Sequence, residues 1–309
     1  MLEMPDSALQ QAPMRASTTD DPQKLLLFAI EASTVGPVAL ATLVEIRGGA
    51  ARSLGSNLVV TADGRFYGYV SGGCVESAIA AEALLAIAEG RDRVVKFGDG
   101  SPFLDIVLPC GGGITVAIHL LRDRRTLHTL LNRLEGRTPV SLCYSPRAQA
   151  LRLTEEVERS GWITDEFSTA YRPRTRVVVF GQTGESQAVA RLAEASSYDV
   201  VQLVCSADAA RNKEIIDRFT AVVLVHHDLD AEAPVLEQAL HSEAFYIGAL
   251  GSSRTHKRRV DYLTGRGFGP GDIQRIKAPI GIFGPTRDSI SLSLSILADI
   301  AATRLTIFG

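Results

Sequence analysis

From Arg176 onward, short apolar runs alternate with helical stretches, and this alternation narrows the possible folds most. "RVVVF" (Arg176–Phe180) reads as a strand, "GQTG" as a turn, and a helix follows to about Ala195. "YDVVQLVC" is the next strand, followed by a charged helix over 208–219 and then the strand "AVVLVHHD". A helix over 233–241 leads into "AFYIGALGS". β-Branched runs without polar alternation belong to strands buried on both faces, and helices between them imply a parallel sheet. The fold class is therefore α/β, with a Rossmann-like domain over 172–309 that opens at Arg172-Pro173-Arg174. A terminal helix is expected over 291–304, capped by Asp288 or Ser289.

The first half has a different rhythm. A helix is expected over 24–32 and a strand over 38–46. "SNLVVTADGRFYGYV" reads as two strands around Asp63-Gly64, a pair suited to a tight hairpin. A helix over 75–88 stops at Gly90, and "RVVKF", "DIVLPC" and "GITVAIHLL" are further strands. A helix over 127–136 and the strand "VSLCYS" follow, and the stretch to Tyr171 is polar and mixed. This gives a strand-rich α+β domain over 24–171. Residues 1–23 lack the apolar core of a signal peptide and read as a disordered lead-in.

Charge and cysteine usage exclude several classes. The net charge of −3 leaves no basic footprint for nucleic acid. No run of roughly 18 apolar residues marks a membrane span. The four cysteines, Cys74, Cys110, Cys143 and Cys205, are scattered with no CxxC, which argues against a zinc site and a disulfide scaffold. Free thiols fit the reducing cytoplasm.

Two glycine–cysteine motifs carry the first site: "SGGCVES" (71–77) and "LPCGGGI" (108–114). Gly72, Gly73, Gly111, Gly112 and Gly113 let backbone approach a ligand and turn N–H groups toward an anion. Cys74 sits at a helix start, where the dipole favours thiolate, and Cys110 lies between Pro109 and the glycines. An inert buried thiol is the ordinary alternative for each. Cys143 and Cys205 read as core. Glu76 is either a dipole-favoured carboxylate or an acid beside the two thiols.

A second group of motifs lies at strand ends in the second half. Gly181 and Gly184 follow a strand and open a helix, the geometry that holds phosphate. The fingerprint is incomplete, because Thr183 stands at the usual second glycine and Cys205-Ser206 stands where NAD needs an acid. A tight turn explains the same residues. Gly248, Gly251, Ser252 and Arg254 open a basic helix whose hydroxyl and guanidinium groups suit a phosphate; a solvated basic face is the alternative. His227 and Asp228 also stand at a strand's carboxyl end, where α/β ligands bind.

In these motifs the chain resembles the XdhC/CoxI family, the maturation factors of molybdenum hydroxylases such as xanthine dehydrogenase and carbon monoxide dehydrogenase. The resemblance runs from about Val38 to the end. It rests on "RGGAARSLGSNLVVTADGRFYGYVSGGCVE", "DIVLPCGGGITV", "VLVHHD", "FYIGALGSSRTHKRR" and "APIG…SLSILADI", in that order. It departs from the family pattern at Ser71, where a third glycine is usual, and at Phe283 and Ser291, where acids are usual.

The resemblance implies an assembly factor rather than a turnover enzyme. Such a protein holds the molybdopterin form of the molybdenum cofactor, with or without a dinucleotide extension, while a cysteine desulfurase supplies the sulfido ligand. It then delivers the cofactor to an apo molybdenum hydroxylase. Molybdenum is soft enough to attract thiolate, so Cys110 or Cys74 would face it, with Cys110 as the metal ligand. Two copies could close such a site as a homodimer. The competing readings are an NAD(P)-dependent oxidoreductase and a noncatalytic nucleotide-binding scaffold.

Overall fold

The computed structural model describes residues 12–101, 111–205, 213–226 and 228–309. The expected strand "DIVLPC", Cys110, His227 and the first part of the helix expected over 208–219 lie outside the described residues. The chain divides into two compact units, Met1–Pro173 and Arg174–Gly309.

The first unit is organised by β2 (Val38–Arg47), a strand apolar on both faces. It pairs antiparallel with β3 (Asn57–Thr61) and, on its other edge, with β6 (Gly113–Leu120). The sheet is completed by β4 (Arg65–Gly68), by β5 (Arg93–Gly98) and by β1 (Met14–Ser17), in the order β1-β4-β3-β2-β6-β5. Part of the expected disordered lead-in is thus a strand: β1 lies parallel to β4, and the Arg15 guanidinium reaches Gly68 O at 3.3 Å.

Helix α2 (Glu76–Glu89) covers one face, with Ile79, Ala80, Ala83 and Ala86 against Ala39, Ala41 and Leu43. The opposite face, through Val38 and Leu40, receives Leu25, Leu26 and Ala29 of α1 (Pro22–Ala32) and Leu127, Leu130 and Leu134 of α3 (Arg125–Glu135). The period-2 alternation of β2 therefore feeds two cores.

The stretch read as polar and mixed is a second sheet. It contains β7 (Val140–Ser145), β8 (Ala150–Thr154), β9 (Gly161–Ile163) and β10 (Glu166–Tyr171), all antiparallel, in the order β8-β7-β10-β9. β8, β9 and β10 are short and lack a regular apolar–polar alternation, which hides them in the sequence. Trp162 Nε1 ties it to β2 by donating to Val44 O at 3.0 Å.

The second unit is the expected α/β layer. Strands β11 (Arg176–Phe180), β12 (Asp199–Leu203), β13 (Thr220–Leu224), β14 (Tyr246–Ala249) and β15 (Ile276–Lys277) form one parallel sheet in the order β12-β11-β13-β14-β15. Helices α4 (Gly184–Ala195) and α8 (Ser289–Phe308) bury Val189, Ala193, Ile296 and Ile300 on one face. Helices α5 (Leu229–His241) and α6 (Ser253–Gly265) bury Leu236, Ala239 and Leu263 on the other, and the short α7 (Pro270–Gln274) leads into β15.

Two expectations change here. The described part of the 208–219 helix is only a 3-10 turn, Lys213–Ile215; the chain then turns where Asp217 accepts from Phe219 N at 2.8 Å. In addition, α8 is long and apolar enough to cross a bilayer by length and composition. It is a core helix all the same. Its Asp299 is buried, accepts from Tyr246 Oη at 2.7 Å and pairs with Lys277.

Candidate functional site

The turn between β4 and α2 holds the first motif. Gly72 and Gly73 have φ of 92° and 115°, which side-chain-bearing residues avoid. The Glu76 carboxylate folds back over this turn. Its Oε1 accepts from the N–H groups of Val70, Ser71 and Gly72 at 3.1, 2.9 and 3.1 Å. Ser71 Oγ donates to Glu76 Oε2 at 2.8 Å and accepts from Cys74 N and Val75 N, both at 3.2 Å. Burial pushes the Glu76 carboxyl up, but the hydrogen bonds from Ser71 outweigh it and hold the group below the ordinary glutamate range. Glu76 is thus an ionised anchor buried beneath the turn, and it already takes the backbone N–H groups that the sequence offered to a ligand. Cys74 remains exposed at the tip.

The second motif meets the first through a shared segment. A Cβ on Gly112 would stand 2.5 Å from Arg47 O and 2.7 Å from Gly49 O, so only glycine lets these two chains touch. On the other side, a Cβ on Gly72 would stand 3.1 Å from the Ala51 side chain. Residues 47–51 therefore touch both glycine motifs. Arg47 fastens the arrangement by donating to Asp99 O at 3.0 Å and to Thr115 Oγ1 at 2.8 Å, and it fills the space beside Gly113. Gly73 and Gly111 differ from these packed glycines: among the described residues, nothing beyond their chain neighbours stands within 4 Å of where their Cβ would be. These two positions lie beside Cys74 and next in sequence to Cys110.

The remaining thiols separate. Cys143 is buried in β7 and hydrogen-bonds to Ser168 Oγ at 3.4 Å, a core role. Cys205 lies just past β12 and is exposed, which corrects its assignment to the core. Among the described residues, no cluster of three or more His, Cys, Asp or Glu side chains could hold a metal.

In the second unit the candidate residues share the carboxyl edge of the sheet. The strand order reverses between β11 and β13, the switch point at which α/β folds bind ligands. Gly181 follows β11 with φ of 146°, and a Cβ there would overlap Val225 O, so this glycine serves close packing. Thr183 caps α4 by accepting from Ser186 N at 3.3 Å, while Gly184 faces open space. Asp228 caps α5 by accepting from Asp230 N at 2.9 Å, and its own N–H donates to His226 Nδ1 at 3.0 Å. Gly248 packs under Ile280, and Gly251 has φ of 130°. Ser252 caps α6 by accepting from Thr255 N at 3.3 Å, and Arg254 is exposed in its first turn.

Residues 177–300 match the XdhC Rossmann domain, and residues 32–98 match the XdhC and CoxI family. The chain is 48% identical over 296 residues to the molybdenum cofactor insertion chaperone PaoD of Escherichia coli (strain K12), covering 95% of this chain and 92% of that protein. The chain belongs to the XdhC and CoxI family. It is also 23% identical, over 86% of its length and 92% of the other's, to a probable xanthine dehydrogenase component of Bacillus subtilis (strain 168). A crystal structure of a xanthine dehydrogenase from Bacillus halodurans shares the fold, with a TM-score of 0.71 at 20% identity, over 92% of this chain and 96% of that one.

Within this family frame, three residues that the sequence reading left without a role prove central to the loops. Ser71, noted only as a departure from a glycine, closes the turn around Glu76. Arg47 clamps the glycine strands. Arg259, part of the basic run after Ser252 that offered guanidinium groups to a phosphate or else formed a solvated face, is instead buried in an ion pair with Glu232 and donates to Leu250 O. Charge patterning suggests a solvated guanidinium on α6, and only the partner on α5 reverses that.

Proposed function

We propose that this chain is a molybdenum-cofactor chaperone, holding molybdopterin for sulfuration and passing it to an apo molybdenum hydroxylase of the xanthine dehydrogenase or carbon monoxide dehydrogenase type. The likeness to the Escherichia coli insertion chaperone supports this reading at chain-wide coverage. The observation that carries it is the segment 47–51, which touches both glycine motifs, while Gly73 and Gly111 meet no side chain or backbone among the described residues beyond their chain neighbours. A dithiolene-bound molybdenum centre is a soft acceptor, and Cys74 and Cys110 are the thiols next in sequence to those two glycines. No redox chemistry of this chain's own is required: it binds, orients and releases cargo.

Taken by itself, the second unit is assigned a phosphate-binding role at its carboxyl edge. Gly184, Gly251, Ser252 and Arg254 offer N–H, hydroxyl and guanidinium donors there. A cysteine desulfurase is the expected sulfur donor, a homodimer the expected assembly, and the cytoplasm the expected compartment.

The test is stoichiometry. Wild-type protein isolated from cofactor-producing cells should carry molybdenum and pterin, and Cys110→Ala should lose them. Full retention in both Cys110→Ala and Cys74→Ala removes the thiol part. An NAD(P)-dependent oxidoreductase is the second reading, favoured only by the strand–Gly181–helix geometry. Tight NADH binding in a fluorescence titration would revive it.

A further inference from the structure

Helix α8 (Ser289–Phe308) is apolar on two opposite sides. The side toward the sheet buries Leu292, Ile296 and Ile300. The other side carries Ile290, Leu294, Ala298, Ala301 and Leu305, at the i, i+4, i+8, i+11 and i+15 spacing that lines one helix face. Ile290 is 70% exposed, Leu294 52% and Leu305 58%. The helix contains two charged residues: Asp299, buried against Tyr246 and Lys277, and Arg304. The preceding loop widens the outward face. Phe283 donates its N–H to Ser295 Oγ at 3.0 Å and its carbonyl accepts from that hydroxyl at 2.7 Å, while the Ile282 and Phe283 side chains are exposed. A helix apolar all round is ordinarily buried all round, and a contiguous exposed apolar patch marks an interaction surface.

The spacing narrows what covers this face, because it reads nearly the same in both directions about Ala298. Ile290 and Leu305 stand at similar distances on either side of it, as do Leu294 and Ala301. An antiparallel copy of the helix therefore sets Ile290 against Leu305, Leu294 against Ala301, and Ala298 beside its own counterpart. The small side chains in the middle let the two axes approach closely, and no like charges meet along the stripe. We infer that the outward face of α8, with Ile282 and Phe283, docks on the same face of a second copy of this chain, the two helices antiparallel across a two-fold axis near Ala298. The exposed side chains offer roughly 700 Å² of apolar surface per copy, and two such faces reach the size of a stable interface. A lipid surface fits less well: helices that lie on membranes carry a Lys- and Arg-rich polar side, and here the second side is packed on the sheet. This face deepens the homodimer of the chaperone reading, but it rests on no cofactor.

The experiment weighs the full chain in solution. Sedimentation velocity and light scattering at micromolar concentration should give the mass of two copies. Leu294→Glu, which puts an unpaired charge into the contact, should raise the dimer's Kd at least tenfold with an unchanged far-UV circular dichroism spectrum. Independently of that variant, Ala298→Cys should be trapped as a covalent dimer by a short bifunctional maleimide, above the background set by the wild-type thiols. A monomer at every concentration overturns the inference. So does a dimer that Leu294→Glu leaves intact and Ala298→Cys does not trap. A monomeric wild type that binds phosphatidylcholine–phosphatidylglycerol vesicles, or an apo molybdenum hydroxylase, only while Leu294 is intact gives the face to that partner and overturns it too. A Leu294→Glu monomer that still carries molybdenum supports the dimer face and leaves the chaperone reading standing. A dimer that Leu294→Glu dissociates but that never acquires cofactor supports the face and sinks that reading.

Discussion

Ser71 and Glu76 close a hydrogen-bonded ring under the cysteine turn: Ser71 supplies both N–H and hydroxyl to the carboxylate, at 2.9 and 2.8 Å, and its oxygen accepts from Cys74 N and Val75 N just before the next helix. The anion cradle formed by the glycine turn is filled from within the chain. On the proposed reading, cargo would approach Cys74 from the Gly73 side, where no described neighbour crowds the turn.

Glu76→Gln should loosen this turn. The amide keeps one acceptor oxygen but turns N–H groups toward backbone donors, so about 1–3 kcal/mol of stability should be lost. Hydrogen exchange at residues 70–75 should accelerate more than exchange in β2. Unchanged protection there would mean that the carboxylate is dispensable.

Gly112→Ala and Gly111→Ala should behave differently. The first drives a methyl into Arg47 O and Gly49 O and should cost about 3 kcal/mol or more. The second meets no neighbour among the described residues and should carry mainly the strain of φ at 67°, roughly 1–2 kcal/mol. Thermal unfolding of the two variants checks the order, and a reversed order refutes the packing account of this motif.

Acid stability should depend on Asp92. Burial raises its pKa, but the His119 ring at 2.7 Å, the Leu120 N–H and the Arg122 guanidinium at 2.6 Å overcome this and bring it down to about 2. A carboxyl depressed on folding contributes stability above its unfolded pKa of about 4, lost as pH falls toward the folded value. Wild-type stability should therefore drop between about pH 5 and pH 2, with Asp92 accounting for ~2 kcal/mol of it. Asp92→Asn should lack that share of the drop in pH-dependent urea unfolding.

Arg254→Ala should leave the melting temperature unchanged, because the side chain is exposed. It should weaken pyrophosphate or cofactor binding about tenfold, more so at low salt. Ser252→Ala should in addition cost about 1 kcal/mol, since Ser252 caps α6. Cofactor affinity equal to wild type in both variants would move the phosphate site elsewhere.

Much of the architecture was legible from residues alone. The β-branched runs of β11 and β13 announce a parallel sheet because strands buried on both faces carry no polar alternation. The helix over 76–89 was legible from its alanine spacing and from Gly90 at its end. Of the sheet over 140–171, β7 was legible but β8, β9 and β10 were not, because they are short and carry no regular alternation. Strand β1 was hidden for a related reason: four residues at a sheet edge leave no periodic trace.

By itself, the sequence determined which residues are conformationally free or chemically soft: the glycine runs, the thiols beside them, and the alternation that builds the α/β unit. Local composition suffices for those properties because φ/ψ freedom and hydrophobic period belong to a residue and its near neighbours. Only the tertiary structure decided what each group faces. Glu76 became an anchor, Gly112 and Gly181 became contact points, and Arg259 became a buried partner of Glu232, because hydrogen bonding and desolvation depend on atoms that the chain brings together from far apart.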